Sequence, residues 1–122
     1  MKFKVHMLAF QPEYCVREVD VPNEQVRKEL DNADTSTLEQ AEESVGFLLE
    51  AIFHWGQNEM QNVRGVCSVS MGDVAEIKGK YFLCLAVGWS EMNPEQFEAY
   101  KAADKDQRYS LARAVEENAK RI

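Results

Sequence analysis

The chain has 122 residues, 45% of them hydrophobic, which is the usual size and composition of one domain with one contiguous core. Its formal net charge of −7 repels a phosphate backbone and argues against an ordinary nucleic-acid binder. No apolar run approaches the roughly 20 residues that cross a bilayer, and the alternating N-terminus is not typical of a signal peptide. We therefore expect a single domain, 1–122, located in the cytoplasm.

The first predicted elements are two strands and a short helix. Residues 2–10 alternate apolar and polar side chains, the turn signal "QPEY" follows at 11–14, and the run at 15–21 is again extended. This order predicts an opening hairpin. Pro22 then begins a short predicted helix that ends in the polar loop at 31–37.

The pattern from 37 to 55 predicts the clearest helix of the chain. Ser36 and Glu39 fit a capping box, in which each side chain satisfies a backbone donor at the helix start. Gly56 is expected to end the helix in the left-handed conformation. The apolar residues that recur at three- and four-residue intervals are Leu38, Ala41, Val45, Leu48, Leu49, Ile52 and Trp55.

After this helix the hydrophobic period changes to two. Residues 67–71 alternate and predict a strand with one wet face, which ends at Gly72. Val74–Ile77 and Tyr81–Val87 predict a hairpin around a "KGK" turn. The second of these strands is apolar on both faces, so we expect it to be central or covered by a helix.

The C-terminal part of the chain predicts two helices. Asn93 caps the first, with Pro94 in its first turn and Gln96 reaching back, and Asp106 is expected to cap the second. Together the elements predict an α+β fold: a small antiparallel sheet of about five strands, packed against a long central helix and C-terminal helices. The inner stripe of the last helix is expected to contain Leu111, Val115, Asn118 or Ala119, and Ile122.

Catalytic, metal and cofactor sites find little support in the residue pattern. Cys15, Cys67 and Cys84 lack the short spacings of zinc sites and make an odd number, so we expect reduced, buried thiols, no metal and no cofactor. His54 lies in the last helical turn, where it suits the helix dipole, and His6 is interpreted as a surface residue. Phosphate-binding and nucleophile-elbow motifs are absent, so we do not predict an enzyme.

Two neighbouring stretches could serve either recognition or the fold. In "SVSMGDV", Gly72 permits a positive φ and Asp73 can accept backbone N–H bonds, which favours a structural turn over a site. In "GQNEMQNVRG", the polar side chains could form a recognition edge or bond the loose carbonyls of the helix end, and the two readings compete evenly. The candidate binding residues are Gln57, Asn58, Glu59, Gln61, Ser68, Ser70, Asp73 and Trp89.

Five short motifs follow one another in order between residues 53 and 100. They are Gly56-Gln57-Asn58-Glu59, the stretch from Ser68 to Val74, Gly79-Lys80-Tyr81, Gly88-Trp89 and Pro94-Glu95-Gln96-Phe97. In this order they resemble a family of small uncharacterised proteins carried by bacterial plasmids, prophages and integrated elements. The resemblance implies an accessory role in a mobile genetic element, and it implies no reaction, cofactor or catalytic residue.

Three functions remain to be compared. We expect an accessory protein that acts by binding an unidentified protein partner, without direct nucleic-acid or membrane binding; self-association is left open. The alternative is an acidic DNA mimic, because residues 13–50 contain eleven acidic and three basic residues, a balance of −8 that includes Glu39, Glu42 and Glu43. A small enzyme using Asp73 or Cys67 lacks a base.

Overall fold

The computed structural model describes residues 2–21, 38–86 and 88–118. Among these residues, a five-stranded antiparallel sheet combines with three helices, which confirms the predicted α+β class. The predicted helix after Pro22 and the Ser36 cap lie outside the described residues. In chain order the elements are β1 (Lys2–Met7), β2 (Cys15–Asp20), α1 (Leu38–Trp55), β3 (Val74–Ile77), β4 (Lys80–Cys84), β5 (Trp89–Met92), α2 (Pro94–Ala102) and α3 (Lys105–Asn118).

The strands lie in the order β2-β1-β3-β4-β5, so the opening hairpin and the β3–β4 hairpin are joined through β1 and β3. One member of the sheet differs from prediction. Residues 67–71 do not form a strand, because the Cys67 N–H donates to the Gln11 side chain and the Val69 N–H to the Gly56 carbonyl. The fifth strand is instead β5, a short segment of mixed polarity that has no periodic signal of its own.

Helices cover both faces of the sheet. On one face, Leu48, Leu49 and Ile52 of α1 pack in one cluster with Val5 and Phe82. We call this the α1 face. The opposite face, which we call the α2–α3 face, contacts α2 and α3 through a second cluster, in which Phe97, Tyr100 and Ala112 pack with Leu8, Val74 and Leu83.

Strand β4 illustrates the double coverage that its sequence predicts. It lies between β3 and β5, with Phe82 in the cluster of the α1 face and Leu83 in that of the α2–α3 face. It ends at Cys84, however, before the predicted end at Val87, which lies outside the described residues. The predicted long central helix is not shown, since the helices are short and the longest described one, α1, has 18 residues.

The end of α1 has a different cause from the one predicted. Gly56 is not in the left-handed region. A Cβ atom at Gly56 would lie 2.4 Å from Val69 Cγ2 and 2.8 Å from the Ile52 carbonyl oxygen. A glycine is therefore required here because the segment leading to β3 passes close to the helix backbone.

The start of α2 is confirmed and that of α3 is shifted. Asn93 Oδ1 accepts from Gln96 N at 2.8 Å, and Gln96 Oε1 accepts from Asn93 N at 2.9 Å, which completes a capping box. In α3 the corresponding residue is Asp104, whose Oδ1 accepts from Gln107 N at 2.8 Å, rather than Asp106. The inner stripe shifts as well, because Ala112 is buried whereas Leu111 is exposed.

Candidate functional site

The loop after α1 is held by its own polar side chains. Gln57 Nε2 donates to the Phe53 carbonyl at 2.9 Å and to the Val69 carbonyl at 2.8 Å. Asn58 Nδ2 donates to the Val66 carbonyl at 2.8 Å, and the Asn58 N–H donates to Ser68 Oγ at 2.9 Å. These amides satisfy carbonyls of the helix end and of the returning segment, so their geometry matches the structural reading.

A buried arginine fastens this loop to β2. Arg17 Nη1 donates to Asn58 Oδ1 at 2.6 Å and to the Cys67 carbonyl at 2.8 Å, and Nη2 donates to the Gln61 carbonyl. Burial lowers the pKa of the Arg17 guanidinium, while the charge of Asp73 acts in the opposite direction. A fully buried charge is costly unless it is hydrogen-bonded, so the oxygens that accept from Nη1 and Nη2 help to accommodate the arginine. Its Nε is buried and has no hydrogen-bond partner among the described residues.

Gln61 covers part of the sheet edge. Its Oε1 accepts from the Asp20 N–H at 3.0 Å and its Nε2 donates to the Asp20 carbonyl. The amide thus takes the place of a neighbouring strand at the end of β2, which is an edge strand. Glu59 is exposed on the same loop. Of the four candidates in this loop, Gln57, Asn58 and Gln61 bond within the fold.

Asp73 is the centre of a second set of internal bonds. Its Oδ1 accepts from the N–H groups of Leu8 at 2.9 Å and Ala9 at 3.0 Å, and its Oδ2 accepts from Ser70 N at 2.8 Å. Burial raises the pKa of Asp73 although these three donors act to lower it. The carboxylate joins the β1–β2 connection to the start of β3, as a structural turn residue would.

The residues beside Asp73 are equally constrained. Gly72 has a φ of 99°, and its carbonyl accepts from Tyr100 Oη at 2.5 Å. A Cβ atom there would lie 3.0 Å from Ala9 Cβ. Ser70 Oγ donates to the Ser68 carbonyl at 3.0 Å. The positive φ and the backbone bonds predicted for this stretch are therefore confirmed.

Trp89 was expected on an interaction surface, but the structure buries it. It belongs to the cluster of the α1 face and lies opposite Cys84 in the β4–β5 ladder. It also borders a cleft of about 160 Å³ between α1 and the β4–β5 connection. The cleft is lined by Glu50, Phe53, Cys84, Leu85, Ala86, Gly88 and Trp89.

The outer side of α1 presents two aromatic rings that the sequence analysis did not single out. Phe47 is 46% exposed and Phe53 is 38% exposed, with Glu50 exposed between them. The three residues are spaced at intervals of three and lie outside the stripe of Leu48, Leu49 and Ile52 that enters the core. Their spacing relative to that stripe was the available signal. We call Phe47, Glu50 and Phe53 the α1 outer surface.

A buried histidine is the other feature that sequence reasoning missed. His6 is only 7% exposed, because Phe97 of α2 packs edge-on against its ring with centroids 4.7 Å apart. Its Nδ1 lies 2.7 Å from Tyr14 Oη and its Nε2 lies 3.0 Å from Glu76 Oε1. The interpretation of His6 as a surface residue is therefore wrong. The alternation of β1 suggested a wet face, but helix α2 covers that face.

Among the described residues, no group of three or more His, Cys, Asp or Glu side chains is placed to hold a metal ion. In the same part of the chain, no helix is both long and apolar enough to cross a membrane. Comparison with known proteins found no matching family model, no matching curated protein and no matching solved structure.

Proposed function

We propose that this protein is a non-catalytic accessory protein of the cytoplasm that acts by binding another protein, and that it binds through the α1 outer surface. The observation that supports this proposal most directly is the exposure of Phe47 and Phe53 on one helix, beside a cleft. Burying a fully exposed phenylalanine contributes about 1.5–3 kcal/mol. Phe47 and Phe53 are each already more than half buried, so the exposed parts of the two rings together are worth roughly one such side chain. Aromatic residues are also enriched where proteins bind each other.

The charge of α1 indicates the chemistry of the partner. The helix sequence contains four glutamates and neither lysine nor arginine, and residues 13–50 carry a balance of −8. A complementary partner is a basic amphipathic helix, whose apolar row packs on the two rings while a lysine or arginine faces the exposed Glu50. A cleft of about 160 Å³ is small for a drug-sized ligand and has room for about one side chain.

The wider biological setting rests on the sequence resemblance alone. An accessory role in a mobile genetic element stays a prediction, since no family model matches the chain. The alternative DNA mimic predicts that negative charge alone provides the affinity. The two rings of the α1 outer surface separate these hypotheses. The partner of a DNA mimic binds through a site built for phosphates, and such a site gains little from burying phenylalanine.

A synthetic amphipathic helix of leucine and lysine, about as long as the 18 residues of α1, tests the proposal. Binding is followed by intrinsic fluorescence, because Trp89 borders the cleft. We expect the wild type to bind this peptide and to ignore a scrambled peptide of the same composition, which has the same charge but no apolar row.

The decisive variant is Phe47→Ser combined with Phe53→Ser, which keeps the charge of α1. We expect it to bind at least about tenfold more weakly, corresponding to 1.4 kcal/mol or more. Phe10→Ser is the matched control, because Phe10 is an exposed phenylalanine on the β1–β2 connection and not on α1. Equal affinity of the double variant, with loss of all binding in about 0.5 M salt, would contradict the proposal and favour the DNA mimic.

A further inference from the structure

The side chains of Glu76, His6 and Tyr14 form one hydrogen-bonded line. A carboxylate oxygen only accepts hydrogen bonds, so the proton of the neutral imidazole lies on Nε2, which donates to Glu76 Oε1 at 3.0 Å. Nδ1 then carries the lone pair and accepts the Tyr14 hydroxyl proton at 2.7 Å. The order carboxylate, imidazole, hydroxyl is the arrangement by which a base oriented by an acid activates a nucleophile.

The fold holds the imidazole in this orientation. His6 and Glu76 lie on the paired strands β1 and β3, and the ring of Phe97 packs edge-on against His6. The ring of Tyr14 lies nearly parallel to the imidazole, with centroids 5.9 Å apart and an interplanar angle of 10°. Tyr14 itself is 40% exposed, so the base is buried while the ring that carries the hydroxyl reaches the surface.

A cation lies over the same tyrosine. Lys101 Nζ is 4.8 Å from the centroid of the Tyr14 ring. A positive charge at this distance stabilises the negative charge that develops on the phenol oxygen as its proton leaves. Glu76 in turn stabilises the imidazolium that forms when His6 takes the proton.

We propose that Tyr14 is an acyl-acceptor site, at which an activated ester or thioester transfers its acyl group to the phenol oxygen. The Tyr14 oxygen forms a bond to the carbonyl carbon while its proton passes to His6 Nδ1. The bond from that carbon to the leaving oxygen or sulfur then breaks, and His6 returns the proton to the leaving group. Each protein molecule is thus acylated once, at the phenol oxygen of Tyr14. The site lies on the α2–α3 face and is independent of the α1 outer surface.

The chain contains a matched control for this reaction. Tyr109 is 56% exposed, more than Tyr14, and it also has a cation over its ring, Arg113, at 5.9 Å. Among the described residues, no imidazole is bonded to it. A difference in reactivity between the two tyrosines within one folded molecule therefore reports on the His6–Glu76 pair and not on exposure or charge alone.

The experiment treats the native protein with p-nitrophenyl acetate and measures acetylation of each tyrosine by peptide mass spectrometry. We expect Tyr14 to be acetylated about 100-fold faster than Tyr109, as general-base assistance provides. Glu76→Gln, which removes the charge behind the base, should lower the Tyr14 rate at least about tenfold and leave the Tyr109 rate unchanged. Equal rates at the two tyrosines, or an unchanged ratio in Glu76→Gln, would overturn the proposal.

Discussion

Replacing Asp73 by alanine tests how the β1–β2 connection is attached to the sheet. The substitution leaves the N–H groups of Leu8, Ala9 and Ser70 without their acceptor. A buried donor without a partner costs about 1–3 kcal/mol, and only the Leu8 bond is fully buried, so the other two donors recover part of their loss from water. Burial of the charged carboxylate is itself unfavourable, as its raised pKa shows, so removing it offsets a further part of the lost stability.

The balance of these effects is a loss of about 3 kcal/mol in the free energy of unfolding. For a chain of this size the midpoint of thermal unfolding should fall by roughly 10 °C. Circular dichroism during urea and thermal denaturation measures both quantities. The urea slope should stay close to that of the wild type, because the surface exposed on unfolding is nearly unchanged.

Asp73→Asn is the matched control, because it tests whether the bonds or the charge matter. An amide oxygen in the place of Oδ1 keeps the bonds from Leu8 and Ala9 and loses only the bond from Ser70. We expect a loss of about 1 kcal/mol. The reasoning is refuted if Asp73→Ala unfolds within about 1 kcal/mol of the wild type, or if Asp73→Asn is as unstable as Asp73→Ala.

Two further outcomes follow from buried polar groups. Arg17→Met removes the donors that hold the loop, so we expect trypsin to cleave after the exposed Arg64 about tenfold faster, while unchanged cleavage would show that the loop holds itself. Burial raises the pKa of Cys84 from 9.0 to about 12, so the folded state binds more protons in this range and stability is lost as the pH rises through it. Thermal melts from pH 8 to 11 should therefore decline less steeply for Cys84→Ala, and parallel slopes would contradict the assignment.

Local features of the sequence were sufficient to predict several elements of the structure. The capping box of Asn93 and Gln96 depends on residues three apart, and it forms as predicted. The hairpins of β1 with β2 and of β3 with β4 follow from alternation and turn residues. The positive φ of Gly72 and the acceptor role of Asp73 were also foreseeable, because those residue types favour such turns.

Other predictions failed where a distant segment decides the outcome. The alternation at 67–71 is typical of a strand, yet the side chain of Gln11 and the carbonyl of Gly56 occupy backbone donors there. Gly56 is needed because Val69 packs against it, and no local rule contains that contact. Trp89 was expected at the surface, but it packs in the cluster of the α1 face. Its local sequence does not show which distant elements pack against it.

The sequence by itself determined the fold class, most strand and helix positions and the acidic character of the chain, because these depend on periodicity, capping and composition. Only the tertiary structure decided what each polar residue does. It buries His6 under Phe97 and joins it to Glu76, which lies 70 positions away in the chain, and to Tyr14. It also leaves Phe47 and Phe53 outside the core. The physical reason is that burial and hydrogen bonding depend on which elements pack together, and sequence spacing alone does not contain that information.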